Sequence, residues 1–436
     1  MEARAYVEQA FGELKRSVAG VEPPWVGEQR ERAMARFGEL GFPTVKDEEW
    51  KYTSVAPITR HRYVARDEQA ASAVTAEQLA PWVLPACPVL VLVGGVPAWS
   101  LSRLSDLPAG VEVRSLGQAL LGKEPHPTTE ELGRHASFAQ QAFVALNTAL
   151  MQDGALVYVA PGVVLERPIQ ILHVATGEAA PTASHPRQLV VVERGAQVKL
   201  VESYLSFGAA PSWTNVVSEV VVREGASVEH HKVLCEGATA LHVATLQVSL
   251  ARAARFVSHS FSFGGGLVRN DLQVRLDGAG AECSLNGLYL AGGEQHVDNH
   301  TRIDHGQPSC TSHELYKGIL GGGAKGVFNG KIYVWPGAQK TDAKQRNMNL
   351  LLSEEAQIYT KPQLEIFADD VRCTHGATVG HLDEEQLFYL RARAVGEAEA
   401  RRMLVAAFAQ ELVDAVRLPA LRSQLEGCLH AGLLES

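Results

Sequence analysis

The chain has 436 residues, 46% of them hydrophobic, enough for one large domain with smaller ones beside it or for two to three domains. Forty basic against forty-nine acidic residues give a formal charge of −9, which argues against general nucleic-acid binding. There is no run of 18 apolar residues, so no membrane span is expected, and six scattered cysteines without a CxxC argue against a disulfide framework or a closed four-cysteine zinc site.

The opening MEARAYVEQAFGELKRSV carries charges throughout and lacks a signal-peptide apolar core, so a cytoplasmic location is the expectation. Residues 2–18 have helical spacing, with Ala5, Val7, Ala10, Phe11 and Leu14 on one side. A second helix is expected over 28–40, stopped by Gly41 and kept from restarting by Pro43. PVLVLVGG (88–95) reads as a buried strand. A further helix is expected over 128–149, carrying Phe138, Phe143, Leu146 and Leu150. Residues 1–148 thus form a mixed α/β region.

From 149 to 381 the chain turns to short alternating runs such as LVVVERGAQVKLVES and SEVVVREGASVEHHKV, each a strand, a small-residue turn and a strand. Ala196, Ala226, Ala254, Ala281, Cys310 and Ala338 recur at intervals of 30, 28, 27, 29 and 28. A β unit that cannot bury its face alone must stack on its neighbours, which predicts a β-helix or similar β-solenoid ahead of a β-sandwich or cupin-like barrel. After 381 the character changes again. Asp383 can cap a helix, with Gln386 at the third position of a capping box; 396–416 is strongly helical, and Pro419 precedes a last helix. Leu404, Phe408 and Leu412 share a stripe that Val405, Ala409 and Val413 widen. That stripe either packs on the β domain or docks another protein.

The glycines of GILGGGAKGVFNGKI (318–332) do not make a phosphate loop. Only three residues separate Gly326 from Gly330, Lys331 is followed by Ile332, and strand residues stand where a helix should begin. No ATP site is expected on this chain. His296, Asp298 and His300 would share one face of a strand, either as metal ligands or as a polar rung. His230 and His231 would face opposite ways, as would Cys310 and His313. In FADDVRCTHGATVG (367–380), an extended run would point Asp369, Val371, Cys373 and His375 to one side. Thiolate and imidazole together suit iron or zinc, but two ligands need others from elsewhere, such as a partner subunit or sulfide. The alternative is a structural cysteine and a histidine bonded within a turn.

The block VFNGKIYVWPGAQKTDAKQRNMNLLLSEEAQIYTKPQLEIFADDVRCTHGATVGHLDEEQLFYLRAR (327–393), with DNHTRIDHGQPSCTSHELYKGIL (298–320) and EEWKYT (48–53), resembles the SufB/SufD scaffold family of the SUF iron–sulfur cluster assembly system. CTHGATVG, where the SufB branch usually has an EHEAT-like segment, favours the SufD branch. The resemblance implies a central right-handed parallel β-helix flanked by an N-terminal region and C-terminal helices over 382–436. It implies a non-catalytic scaffold that pairs with a SufB homologue and docks the ABC-type ATPase SufC through those helices (Leu404, Phe408 and Leu412 here), with a homodimer possible in isolation. A transient iron–sulfur cluster would form at the interface, His375 contributing and Cys373 beside it; reduced flavin (FADH2) would bind, if anywhere, at the level of the complex. Ala394 stands where family members often have glycine, which puts the helix junction there in question. The competing class is a stand-alone β-helix enzyme acting on polysaccharide, a lyase or esterase. It would call for an aromatic-lined groove and usually for secretion, whereas aromatics are 7% of the chain.

Overall fold

The computed structural model describes residues 2–64, 72–122, 126–177 and 180–435. Among these, the β-branched runs form two ten-stranded sheets that face each other across a shared interior. One runs through Val89–Val93, Ile169–Thr176, Gln197–Phe207, Ser227–Cys235, Arg255–Ser262, Glu282–Ala291, Thr311–Leu320 and Asp342–Leu351 to Arg372–Gly380. The other runs through Gly154–Val159, Arg187–Val192, Ser212–Val222, Leu241–Leu250, Leu267–Leu276, His296–His305 and Lys325–Val334 to Gln357–Ile366. Successive strands of these two runs alternate between the sheets and pair in parallel within each, so the chain coils as a β-solenoid, as the spacing predicts.

The recurring small residues are the inside corner of that coil. Ala196, Ala226, Ala254, Ala281, Cys310 and Ala338 are all buried, and the amide of each alanine closes a tight turn on the carbonyl three residues back. The turn needs a left-handed residue just before most of them: Gly195, Gly225, Ala253, Gly280 and Ser309 all have φ between 54° and 69°. Adjacent turns are laddered, the amide of Ser227 donating to Ala196 O, Arg255 to Ala226 O and Glu282 to Ala254 O, each at 2.9 Å. A larger side chain at the small position would have no room in the stack.

Sheets of this kind are apolar on their outer faces too, and need cover. Helices Glu2–Ser17 and Pro24–Leu40, with Ala142–Leu150, bury Tyr6, Val7, Phe37, Phe143 and Leu146 against Trp213, Leu241, Val243 and Leu267 of the second sheet. Gly41, with φ 65°, ends the second helix as its position predicts. Helices Glu397–Asp414 and Pro419–Glu435 cover the first sheet, packing Val405, Ala409, Leu412, Leu421 and Leu425 on Val201, Val233, Phe261, Leu288 and Ile319.

One expected helix is largely absent. Over 128–149 only Ala142–Leu150 is α-helical, preceded by a short 3-10 turn at Pro127–Glu131. The competing partner is Glu219, a fully buried carboxylate that accepts the backbone N–H groups of Gly133, His135 and Ala136 at 2.8, 2.9 and 3.0 Å and pairs with Arg187 at 2.5 Å. Those amides are spent on a carboxylate 83 to 86 residues away, which a local helical pattern does not reveal.

The interior is not uniformly apolar. Tyr204 donates to Glu202 at 2.7 Å, Lys232 to Asn270 at 2.6 Å, Asn270 to Asn299 at 3.0 Å, and Tyr289 to Asn349 at 2.8 Å. These partners come from the same strand, from adjacent strands of one sheet, from strands two apart in it and from the facing sheet, and each bond lowers the cost of burying the groups it joins.

Candidate functional site at the open terminal rung

Strands Gln357–Ile366 and Arg372–Gly380 are the last of their sheets, and each is paired on one side only. Arg372–Gly380 lies parallel to Asp342–Leu351, with Ala343 opposite Cys373 and Gln345 opposite His375. Ala343 and Gln345 are buried, so Cys373 and His375 stand on the inward-facing side. With no further rung stacked on it, that side is open. Thr374 through Val379 are exposed, and a methyl group at Gly376 would meet nothing within 4 Å.

The two candidate ligands differ in setting. Cys373 is half-buried beside Ile332, Val334, Ala338 and Ala343, and burial pushes its thiol up from the ordinary value, so it is protonated at neutral pH. His375 is exposed, and among the described residues its ring has no hydrogen-bond partner. The extended run begins only at Arg372, so Asp369 and Asp370 are not in line with them. Asp370 instead forms an ion pair with Lys340 and receives the Lys340 amide on its carbonyl.

Below His375 the column continues inward through Gln345 to Glu314. Gln345 Nε2 donates to Glu314 Oε2 at 2.6 Å, and burial raises the Glu314 carboxyl to about 7 against weaker opposing hydrogen bonds. The interior network also reaches this end: Asn349 Nδ2 donates to Thr378 O at 3.3 Å.

Exposed apolar side chains gather around the same end. Trp335, Tyr359, Ile366, Phe367 and Val379 lie on or beside the last rungs, and Phe388, Tyr389 and Met403 on the helices that follow. Phe388 is the most exposed of them at 72%. The expected docking stripe needs correction. Leu412 is 2% exposed within this chain, and Leu404 and Phe408 are half-buried, Phe408 lying under Lys317 Nζ at 5.1 Å. That side of Glu397–Asp414 is occupied in covering the sheet, and the outward apolar groups sit up to a few turns earlier. Asp383 caps Glu384–Arg391 as expected, accepting from the amides of Glu385 and Gln386.

The other sequence candidates have structural partners. His296 and Asp298 both contact Thr53 Oγ1, at 2.9 and 2.5 Å, and His300 bridges Asp298 at 3.1 Å and Glu49 at 3.3 Å. They form a polar clasp for the EEWKYT segment. His230 bonds Ser258 inside, while His231 bonds Glu229 on the opposite face. Glu229, His231 and His259 bring three donor atoms within 4.8 Å of one another, a cluster the sequence reading missed. The two rings stack at 5.0 Å and 11°, however, so their in-plane lone pairs run side by side instead of converging on one ion. Cys310 belongs to the turn ladder and His313 is exposed. The glycines of 318–332 admit close side chains from the next strands: a methyl on Gly318 would lie 2.4 Å from the Tyr289 ring, and one on Gly330 2.3 Å from Gln345.

Two family descriptions match this chain: the SufBD protein N-terminal region over residues 1–171, and the SUF system FeS cluster assembly, SufBD core domain over 173–408. The chain belongs to the SufBD family. It is 32% identical to a SufBD family iron–sulfur cluster assembly protein of Synechocystis over 98% of this chain and 94% of that one. It is 32% identical to SufD of Escherichia coli over 91% and 90%, and 30% identical to SufD of Bacillus subtilis over 66% and 65%. It is therefore an iron–sulfur cluster assembly protein of the SUF system, with SufD proteins among its homologues. Among the described residues no helix is long and apolar enough to cross a membrane.

Proposed function

We propose that this protein is the SufD-type, non-catalytic scaffold subunit of a cytoplasmic SUF complex. It pairs with a SufB homologue through the open terminal rung, and an ABC-type ATPase of the SufC kind docks on the helices beyond it. The observation that carries this reading is the coincidence at one end of unpaired strand edges, exposed aromatics and the His375–Cys373 pair. An unpaired edge is a template for another chain's strand, and exposed apolar groups beside it favour a protein partner.

The cluster is cargo here. His375 offers an accessible imidazole to an iron held mainly by the partner. Cys373 becomes a ligand only if docking offsets the burial that keeps its thiol protonated. Reduced flavin, if it takes part, acts at the level of the complex.

The test is co-expression with the SufB and SufC homologues and reconstitution with iron and sulfide. His375→Ala should leave the subunit ratio and melting temperature unchanged and cut the visible cluster absorbance several-fold. Cys373→Ser should lose as much or less. Full cluster yield in the His375 variant would sink the ligand role. Failure of the chain to bind a SufB homologue, or persistence only as a homodimer, would sink the pairing.

A further inference from the structure

Cys235 and Cys428 are 193 residues apart and on different parts of the fold, yet their Sγ atoms lie 3.4 Å from each other. Cys235 ends strand Ser227–Cys235, and Cys428 lies on helix Pro419–Glu435 between the buried Leu425 and Leu429. Both are half-buried, and Cys235 packs against the cluster that holds Leu425 and Leu429 of the same helix as Cys428. On the same helix Gln424 Nε2 donates to Pro81 O at 2.9 Å, which fixes the helix against the segment beside Cys87. All six cysteines are free. Cys87 and Cys283 are buried, Cys310 is in the turn ladder, and Cys373 is far along the solenoid at the terminal rung.

We propose that Cys235 and Cys428 form an oxidisable dithiol site which a peroxide closes into a disulfide, tying the last helix to the solenoid. Bond formation needs the sulfurs to approach from 3.4 Å to about 2.05 Å. The two thiols are not equivalent. Their shared contact holds the Cys428 thiol below its ordinary value, while that contact and burial push Cys235 well up. Cys428 is thus the first nucleophile.

The steps balance. The Cys428 thiolate attacks one peroxide oxygen and the O–O bond breaks. Sulfenic acid forms on Cys428, and the other oxygen leaves as water or an alcohol after taking the thiol proton. The Cys235 sulfur then attacks the sulfenic sulfur; the S–S bond forms, the S–O bond breaks, and the hydroxyl leaves as water with the Cys235 proton. Two thiols lose two electrons and one peroxide gains them. The product closes a large loop and pins the helix whose Leu421, Leu425 and Leu429 cover the outer sheet.

This inference does not depend on the assembly reading. The test uses the full chain and hydrogen peroxide. Titratable thiols should fall from six to four, a non-reducing digest should yield a peptide joining Cys235 to Cys428, and the melting temperature should rise by several degrees, reversibly with dithiothreitol. Cys428→Ser and Cys235→Ala should each abolish the cross-linked peptide while melting close to the reduced wild type. Retention of six thiols, oxidation that stops at a sulfinic acid on Cys428, or a disulfide joining any other pair would each overturn the proposal. A variant that does not fold leaves the wild-type thiol count and peptide map as the deciding measurements.

Discussion

Arg269 and Asp298, on adjacent strands, meet at 2.6 Å with at most 2% of either side chain exposed. Arg269 also donates to Glu49 O at 2.8 Å and lies 4.5 Å from the Trp50 ring, and Thr53 donates to Asp298. Two stretches whose contacting residues are 243 and 245 positions apart, EEWKYT and HVDNH, are thus joined around one buried pair. Asp298→Ala would strand the guanidinium with Asp271 as its remaining carboxylate. Removing one partner of such a pair costs about 3–5 kcal/mol, and the second acid should bring this to the lower end. Urea unfolding should show the midpoint fall with the slope unchanged. An unchanged midpoint would mean the clasp does not hold the N-terminal segment in place.

His300 gives that clasp a pH dependence. Burial and Arg269 oppose its charge, but Asp298 and Glu49 outweigh them and its pKa is raised. The sign follows from linkage: its contribution is fully present below the unfolded value of 6.5 and is lost as pH rises through the higher folded value. Melting temperature should therefore decline more steeply from about pH 6.5 upward in the wild type than in His300→Gln. Parallel profiles would remove His300 as the cause.

Glu314 acts in the same sense for a different reason. Burial lifts its carboxyl from 4.5 to about 7, so stability is greatest below the unfolded value and declines as pH rises toward the folded one. Glu314→Gln keeps a neutral partner for Gln345 and should remove that decline, at most about 3 kcal/mol. If the variant unfolds at the same denaturant concentration as wild type at pH 8, the carboxyl is not the strained group.

Ala394 carries φ 64° at the junction between Glu384–Arg391 and Glu397–Asp414. Left-handed backbone costs a residue with a Cβ roughly 1 kcal/mol that glycine does not incur. Ala394→Gly should therefore stabilise the helical tail by up to about 1 kcal/mol, offset in part by glycine's freedom in the unfolded chain. Chemical denaturation followed by helical signal reads this, and a destabilised variant would contradict it.

If an ATPase docks as proposed, Phe388→Asp with Tyr389→Asp should weaken its binding more than tenfold in calorimetry while leaving the melting temperature alone, because both side chains are exposed. Leu412→Asp should instead lower stability, since it places a charge in the contact with the sheet. The reverse pattern would restore the stripe first expected from the sequence.

The solenoid was legible because its signal is periodic: one small residue per coil, from Ala196 to Ala338, is a packing requirement repeated at the same place. Helix ends at Gly41 and Asp383 were legible because capping is local. The 128–149 helix was misread because Glu219 takes its amides from more than 80 residues away, and helix propensity does not record a distant acceptor. At the terminal rung, the Cys373 and His375 spacing placed both on one side, but that this side is the coil's interior left open depends on where stacking stops. The role of the Leu404–Phe408–Leu412 stripe was illegible for a related reason. An apolar helix face looks the same whether it awaits a partner or covers a sheet, and only the outer-face residues Val201, Val233 and Phe261 decide between them.

That cover also has a place in time. The strands from Gln197 to Leu351 leave the ribosome with the outer face of their first sheet bare, and the helices that shield it are made after them. While residues 384–435 are still in the exit tunnel, Phe261, Leu288 and Ile319 face water on a finished coil. A message truncated after the terminal rung would therefore yield a protein whose β-solenoid is complete and whose surface is sticky, a product for chaperones and proteases to clear.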